Sequence, residues 1–448
     1  MQVFYKRISF LLVALCTCCI TSLFAQSATV SPYSRYGIGD LQNENGAQSF
    51  SMGQTGNALH NDSLLIPNFI NLKNPASYFY NRITTYEAGV LNNNTWLSTE
   101  GLNHFNNNTY FGYFAIAFPI SRHFGGSFGL RPMSSVGYNI NTTGNIDSVD
   151  SKGNVTSIGT TTNQYVGTGG LNQIHLGAAY SPWYWLSLGA NVNYLFGYLN
   201  YTQNVIYDPS LLALNSQETE NLNLHGFTFD YGAMFTFGKS RDSGWGVLGF
   251  TYSAGGSLFA NYNLLSLSYV TGSPQTNIDT VQDSSAFGKL KLPSTFGIGF
   301  TYIHRDKDYY PNWMLSVDAN IQKWSQYSVL GQSGNLSNSW QVGMGIQIIP
   351  HKVSKDVFER THYRAGFSFT QTALDINNTQ LTDACLTLGA AFPLTNGLNQ
   401  FGQLGILNIG IQAGRLGTTT NDLLQEDYLK FLVSFTFNSL WFQKRKYQ

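Results

Sequence analysis

The segment from Gly125 to Gly129 (GGSFG) matches the G-x-S-x-G pattern of serine hydrolases. That pattern needs a sharp strand-to-helix turn and an oxyanion hole beside the serine. Here it lies in a glycine-rich strand with no helix after it, and no serine and histidine have a distinctive spacing. His175 and His225 also fall in predicted strands, where we expect them to form hydrogen bonds in an interior. The sequence therefore predicts no enzyme and no catalytic residue.

The sequence indicates no metal, cofactor or nucleic acid. Asp147, Asp150 and Gly153 match part of a calcium loop but lack the remaining oxygen ligands, so we expect an ordinary polar loop. There is no phosphate-binding loop and no dinucleotide fingerprint. With 24 Lys and Arg balanced by 24 Asp and Glu, the chain has no basic footprint for nucleic acid.

The N-terminus has the features of a secretory signal peptide, predicted to span residues 1–25. Lys6 and Arg7 precede an almost wholly apolar run from Ile8 to Phe24, and Ala25 follows. A transmembrane anchor is the alternative, but the run is short and nothing basic follows it. No later segment has 18 consecutive apolar residues, so a membrane location requires a closed β-barrel.

The composition favours strands with one apolar and one polar face. Aromatic residues make up 15% of the chain and charged residues 11%, yet the mean hydropathy is only −0.13. Residues alternate with period two from about Ile83 onward, as in Leu429, Phe431 and Val433 against Lys430 and Ser434. Fourteen segments are predicted as strands, near residues 83–97, 108–119, 123–140, 170–181, 184–204, 223–238, 244–268, 293–304, 312–324, 337–350, 359–372, 381–393, 402–414 and 427–438.

The predicted fold class is all-β, a membrane-spanning antiparallel β-barrel of about 14 strands over residues 83–438. A soluble β-sandwich also alternates, but aromatic residues on nearly every apolar face favour a lipid-facing belt. Short connections, such as 181–183, are expected at the periplasmic end. The longer connections 141–169, 205–222, 269–292, 325–336 and 415–426 are expected to be extracellular loops, and residues 439–448 form a basic tail.

Residues 26–82 do not alternate, and a weak helix is expected over Ala47 to Leu59. The segment is too apolar for a free tail and too short for a domain. We interpret it as a hatch, or plug, inside the barrel lumen; a periplasmic extension is the alternative.

Two motifs of this segment resemble the hatch of the FadL family of outer-membrane channels for long-chain fatty acids and other hydrophobic compounds. They are the run from Ser51 to Gly56 (SMGQTG) and the hatch motif Asn74-Pro75-Ala76 just before the first strand. The run from Ser31 to Asp40 is similar to the mature start of such proteins. The resemblance implies a fourteen-stranded barrel with a lumenal hatch and a third strand kinked to open a lateral gap. The tail after the last strand departs from the family's pattern.

The third predicted strand contains Pro132, which cannot donate a backbone hydrogen bond within a sheet. Together with Gly129 it predicts a kink and a lateral opening, for which a simple bulge is the alternative. Phe128, Leu130 and Met133 are the candidates to line the ligand path.

Charged side chains predicted to face inward could fix the hatch. They are Arg131, Asp230, Asp318, Arg364 and Lys430, and their expected partners are Arg35, Asp40, Glu44 or Lys73. The alternative is that they are simply solvated in a wet lumen.

These features predict a channel in the outer membrane of a Gram-negative bacterium for passive uptake of small hydrophobic molecules such as long-chain fatty acids. The expected partners are outer-membrane lipid and a hydrophobic small-molecule ligand. The alternative function is a carrier or accessory subunit of an outer-membrane secretion or assembly machine, with outer-membrane protein partners.

Overall fold

The computed structural model describes residues 29–42, 46–61, 69–99, 101–149, 155–211, 213–240, 244–270, 278–305, 311–351, 354–394 and 405–439. The predicted signal peptide, Glu44, Asp150, Gly153 and the tail after Ser439 lie outside these residues. Within the described residues, no helix has the length and apolar character to cross a membrane.

Fourteen antiparallel strands form a closed barrel, which confirms the predicted fold class. Each strand pairs with the next along the chain, and the last closes on the first, with Ser439 opposite Thr84. Every strand overlaps its predicted segment. The strands are β1 Thr84–Thr99, β2 Leu102–Pro119, β3 Phe124–Val149, β4 Val155–Trp183, β5 Leu186–Tyr207, β6 Asn215–Ser240, β7 Gly244–Ser253 continued by Gly256–Tyr269, β8 Ile278–Leu292 continued by Thr295–Arg305, β9 Pro311–Gln322, β10 Ser339–Ile348, β11 His362–Ile376, β12 Thr379–Pro393, β13 Gly405–Gly417 and β14 Gln425–Ser439.

The remaining elements are short. The described N-terminal residues contain a two-residue strand, Asp40–Leu41, and a helix that covers Ala47–Ser51 rather than extending to Leu59. A second helix spans Val357–Arg360. Two further two-residue strands are Ser328–Val329 and Gln332–Ser333. The 3-10 helices are Pro32–Arg35, Pro75–Tyr80, Pro209–Leu211, Trp324–Gln326 and Thr420–Asp422.

The two faces of the wall differ as the alternation predicts. In β14, Phe431, Val433 and Phe435 are exposed on the outside, whereas Ser434 and Thr436 are buried inside. This outward apolar face is the surface that a barrel presents to lipid. The barrel end at which β1 begins and β14 ends is called here the terminal end. The opposite end is called the far end.

The prediction that 141–169, 205–222 and 269–292 form long loops is wrong. Most of these residues continue the strands, so that β3 to β6 contain 22–29 residues each, against 10–15 in β9 to β14. Their Asn, Ser and Thr content resembles that of loops, but threonine is β-branched and suits a strand. The extended strands also bury leucines on their inner faces, and this burial stabilises the extended part of the wall.

Those leucines form an apolar cluster, called here the roof, between the inner faces of β3 to β8. The roof is joined by Ile38 of the N-terminal residues and by Trp324 and Tyr327 of the β9–β10 connection. Its leucines are 0–7% exposed. The roof residues are Ile38, Val136, Leu171, Leu195, Leu199, Leu222, Leu224, Leu258, Ala260, Leu290, Leu292, Trp324 and Tyr327.

Candidate functional site: the lumen and its side opening

The described residues before β1, called here the N-terminal segment (29–42, 46–61 and 69–83), lie against the inner face of the wall. Ten strands contact the segment through inward-facing glycines, at positions where any other residue would place a side chain. A Cβ added at any of these glycines would stand within 3 Å of an atom of the segment. This glycine belt comprises Gly125, Gly177, Gly189, Gly232, Gly249, Gly297, Gly299, Gly343, Gly345, Gly366, Gly389 and Gly410.

The glycine belt brings backbone against backbone, an approach that a side chain would prevent. A Cβ at Gly249 would lie 1.9 Å from the carbonyl oxygen of Asn57, and one at Gly343 would lie 2.3 Å from that of Gly53. The wall is therefore shaped to this segment over most of its circumference.

Two buried carboxylates on the wall hold the segment by its backbone. Asp318 Oδ2 in β9 accepts hydrogen bonds from the amides of Gly56 at 2.7 Å and Asn57 at 2.8 Å. Lys73 Nζ lies 3.2 Å from the same oxygen. This ion pair is among those that the inward charges predicted, and the lysine balances a carboxylate that would be costly to bury alone.

Glu87 in β1 has the corresponding role on another part of the wall. Its Oε2 accepts from the amide of Ile70 at 2.8 Å. Its Oε1 accepts from the amide of Ala47 at 3.3 Å and from Tyr113 Oη at 2.5 Å. Together these two carboxyl groups accept four backbone N–H hydrogen bonds from the segment, and so they fix its path.

The motif Asn74-Pro75-Ala76 begins the 3-10 helix Pro75–Tyr80 at the terminal end. Asn74 Oδ1 caps the helix by accepting from the amide of Ala76 at 3.0 Å, and its Nδ2 donates to the carbonyl of Asn57 at 2.6 Å. Pro75 occupies the first helical position, where no amide is needed. Burial raises the pKa of Tyr78, in the same helix, to about 12, so its hydroxyl stays protonated.

The wall is not continuous between β2 and β3. Their pairing runs from Pro119–Gly125 to Phe114–Leu130 and ends there, although both strands continue. Beyond that point the N-terminal segment takes the place of β2: Leu41 pairs with Ser134, and Asp40 pairs with Ser135. We call this break the side opening.

The predicted residues of the third strand lie around the side opening in different orientations. Pro132 is followed by a register shift against β4, with Met133 as the extra residue. Met133 packs against the roof and lines a cavity. Phe128 and Leu130 face outward, where Phe128 is 41% exposed. Gly129 faces inward, and a Cβ there would meet His175 at 2.5 Å.

Two neighbouring cavities lie between the N-terminal segment and the inner face of the wall, next to the roof residues Leu195, Leu292 and Trp324, and together they are called here the chamber. The first, of about 190 Å³, extends along the N-terminal segment to Leu374 and Leu416 near the far end. The second, of about 210 Å³, reaches Gln42 and Met133 at the side opening. The cavities share the lining residues Leu41, Gln54, Asn320, Gln322, Trp324 and Gln341.

The remaining inward charges have polar contacts in the wall. Arg364 Nε donates to Gln347 at 2.8 Å, and Asp230 accepts from Asn193 at 2.7 Å. Arg131 donates to Gln173 at 3.3 Å. Lys430 lines the first cavity with Asp40. Burial raises the pKa of Asp40, an effect that Lys430 opposes.

The structure brings together Ser127 and His175, which the sequence did not pair. Ser127 Oγ lies 3.1 Å from His175 Nε2, and both side chains are buried. Neither residue lines the chamber, and the ring of Tyr78 stacks over His175. The pair therefore contacts the N-terminal segment, and a substrate in the chamber does not reach it.

Sequence reasoning did not predict the glycine belt or Glu87. The signal was present, because inward positions of β10 and β11 read Gly343, Gly345 and Gly366. A glycine-lined inner face indicates a close backbone neighbour.

The chain has the fold of FadL-like outer-membrane channels, as the sequence resemblance predicted. The toluene transporter TbuX of Ralstonia pickettii has 15% identity and a TM-score of 0.53, covering 88% of this chain and 97% of its own. A FadL homologue of Pseudomonas aeruginosa has 14% identity and a TM-score of 0.54, covering 90% and 99%. The toluene transporter TodX of Pseudomonas putida has 14% identity and a TM-score of 0.53, covering 90% and 100%.

A model of the BamG family matches residues 5–448, and the chain belongs to that family. No curated protein matches the sequence. At 14–15% identity the solved structures establish a shared fold.

Proposed function

We propose that this protein is an outer-membrane channel for passive uptake of small hydrophobic molecules, which leave the chamber through the side opening. The observation that carries the proposal is the end of β2–β3 pairing at Phe114 and Leu130, with the second cavity directly behind it. Several proteins of the same fold are described as transporters of toluene or monoaromatic hydrocarbons.

The shape of the chamber supports a lateral route. Phe50, Gln54, Leu72 and Lys73 of the N-terminal segment form its floor. The roof covers the inner faces of β3 to β8. The first cavity extends toward the far end, and the second reaches the side opening. A solute entering along the first cavity would therefore reach lipid through the wall without crossing the floor.

Cavity size favours compact solutes over long-chain fatty acids. Each cavity is smaller than the roughly 300–1,000 Å³ that is typical of sites for drug-sized ligands. A single aromatic ring with a short substituent suits this volume better than an extended acyl chain.

Uptake by cells tests this function, because the lipopolysaccharide layer slows compounds that cross simple bilayers freely. A Gram-negative host without its own channel would express the wild-type protein or Met133→Trp, which fills the second cavity. Cells that express the wild-type protein are expected to take up radiolabelled toluene faster than cells without it. Cells with the same amount of Met133→Trp in the outer membrane are expected to show no such increase. The control is Val192→Trp on the outer face of β5, which should behave like wild type. No gain with wild type would contradict the channel.

A polar patch on the outer wall favours the second candidate function, an accessory subunit that docks membrane proteins. Asn92, Asn94, Asn107 and Thr109 face outward from β1 and β2. Asn107 Nδ2 donates to Asn94 Oδ1 at 2.6 Å, and Asn92 Nδ2 donates to Thr109 Oγ1 at 2.8 Å. Polar side chains facing lipid are costly, which is why they often mark contact with protein.

The polar patch lies beside the side opening. The aromatic pair Trp96 and Phe105 lies next to the patch, on its far-end side. The rings of Trp96 and Phe105 are 5.2 Å apart, at the position expected for the membrane interface. A photo-crosslinking amino acid at position 107 should give one discrete protein adduct in living cells if the protein is a docking subunit, and the same probe at Val192 should give none. Equal, diffuse labelling at both positions would contradict docking there.

A further inference from the structure

The second cavity of the chamber has a more polar lining than a passage for hydrocarbons requires. Carboxamide, hydroxyl and charged side chains all contribute to it, among them Gln173 of β4 and Gln322 of β9. Polar groups removed from water are costly unless another hydrogen-bond partner replaces the water. The partners that these side chains already have therefore indicate which kind of molecule the cavity would hold.

Gln173 has an amide nitrogen that is left to donate into the cavity. The residue is only 6% exposed, and its Oε1 accepts a hydrogen bond from Arg131 Nη2 at 3.3 Å. Because the arginine side chain has donors only, the amide atom that faces it is oxygen, and the NH2 group is the free end. Among the described residues Nε2 has no acceptor, and it is not one of their fully enclosed side-chain atoms. A molecule in the cavity can therefore accept from it.

Gln322 shows the same arrangement on another part of the wall. Its Oε1 accepts from Trp324 Nε1 at 2.7 Å and from Ser339 Oγ at 3.4 Å. The indole nitrogen can only donate, so the amide oxygen is again fixed by its neighbour. No described residue accepts from Gln322 Nε2. The cavity thus has two carboxamide groups whose oxygens are occupied and whose nitrogens remain as donors.

The charged groups of the second cavity favour a neutral solute. Its lining includes Lys73, Arg131 and Asp230, and Lys73 is paired with Asp318. Two cationic groups are therefore matched by two carboxyl groups, and their formal charges balance. A carboxylate or an ammonium solute would leave water for a site without an excess of the opposite charge, which is costly.

Apolar side chains lie in the same cavity as the two donors. Met133, Leu195 and Leu292 are part of its lining. A carbonyl oxygen that leaves water loses its hydrogen bonds, and the amide donors would replace them. A hydrocarbon of the same shape would instead cover the donors and leave them without an acceptor. The cavity therefore suits an apolar body that carries an accepting oxygen.

We propose that the second cavity binds compact neutral solutes with a hydrogen-bond-accepting oxygen, such as aromatic ketones, in preference to hydrocarbons of the same shape. Gln173 and Gln322 supply the donors, and the apolar body contacts Met133, Leu195 and Leu292. This site deepens the proposed function by naming a preferred solute class, and it rests on that function only for its place on the route.

Equilibrium dialysis of the purified protein in detergent tests the site, with protein-free micelles as the blank. The probes are acetophenone and α-methylstyrene, which has the same shape but a CH2 group in place of the carbonyl oxygen. Gln173→Met keeps the length of the side chain and removes the donor. We expect this change to weaken acetophenone binding by about tenfold, because the carbonyl loses its donor, and to leave α-methylstyrene binding unchanged.

Two further variants keep the test decisive if Gln173→Met does not fold. Gln173→Glu retains an oxygen for Arg131 but has no amide nitrogen, and Gln322→Met removes the donor on β9. Each should weaken binding of the ketone alone. The matched control is Gln164→Met, the same substitution in the same strand at a residue that lines neither cavity. Equal losses for both probes, no loss of acetophenone binding in the folded variants, or an equal effect of the control would overturn the site.

Cell uptake separates failure of this site from failure of the channel. If Gln173→Met weakens acetophenone binding alone but wild type speeds the entry of neither probe into cells, the site stands and the channel function is wrong. If wild type speeds the entry of both probes and Gln173→Met binds both as wild type does, the channel stands and the donor site is wrong.

Discussion

Gly249 lies against the backbone of Asn57, so closely that a Cβ at position 249 would stand 1.9 Å from the Asn57 carbonyl oxygen. The contact joins β7 to the N-terminal segment and is repeated at other glycines of the belt. Wall and segment are thus complementary at the level of backbone atoms. This complementarity makes the segment a built-in floor, around which any passage must run.

Gly249→Val should destabilise the folded barrel, because a backbone neighbour has no side-chain freedom with which to yield. We expect a cost of about 3 kcal/mol in the free energy of unfolding, at the upper end for overpacking. Urea unfolding in detergent, followed by gel mobility without heating, measures it. Gly144→Val is the control, since a Cβ there meets only Thr161 at 3.8 Å. Equal stability of the two variants would refute the close contact.

Asp318→Ala should loosen the floor at its most strongly held point. The change removes the partner of Lys73 and of two backbone amides, and breaking a buried pair costs about 3–5 kcal/mol. Limited proteolysis should then cut within residues 53–61 faster than in wild type, because Gly56 and Asn57 lose the acceptor of their amides. Asp427→Ala, which breaks the exposed pair with Arg415, should change the free energy of unfolding little and leave the protease pattern unchanged. Cleavage at the same rate in both variants would show that Asp318 does not hold the segment.

Deletion of residues 29–82 should open the lumen, because the described part of the segment occupies it at the level of the glycine belt. Single-channel conductance in planar bilayers is expected to rise from near zero to large, stable steps, with a lower unfolding midpoint. Wild type and Gly144→Val are the controls. A deletion variant that is folded but no more conductive would place the segment outside the pore.

The sequence predicted where the strands lie along the chain better than it predicted which residues contact each other between strands. Alternation in residues such as Phe431 to Phe437 depends only on local burial, so all fourteen strands could be placed. The contact between Ser127 and His175 depends on the register of β3 against β4, which composition does not encode. The extension of β3 to β6 was misread as loops because its polar residues are those of turns, and only the leucines of the inner face distinguish it.

A reversible disulfide across the side opening tests the central claim most directly. Leu41→Cys and Ser134→Cys place thiols on directly paired residues, where Cβ atoms are close enough for a disulfide. The bond would fix the N-terminal segment to β3 and hold the opening shut. Asn145→Cys with Thr160→Cys, a pair in the β3–β4 ladder, is the control for oxidation. Toluene uptake by cells should stop when the Leu41–Ser134 pair is oxidised, return with dithiothreitol, and stay unchanged in the control; equal uptake in the oxidised and reduced forms would contradict a lateral route.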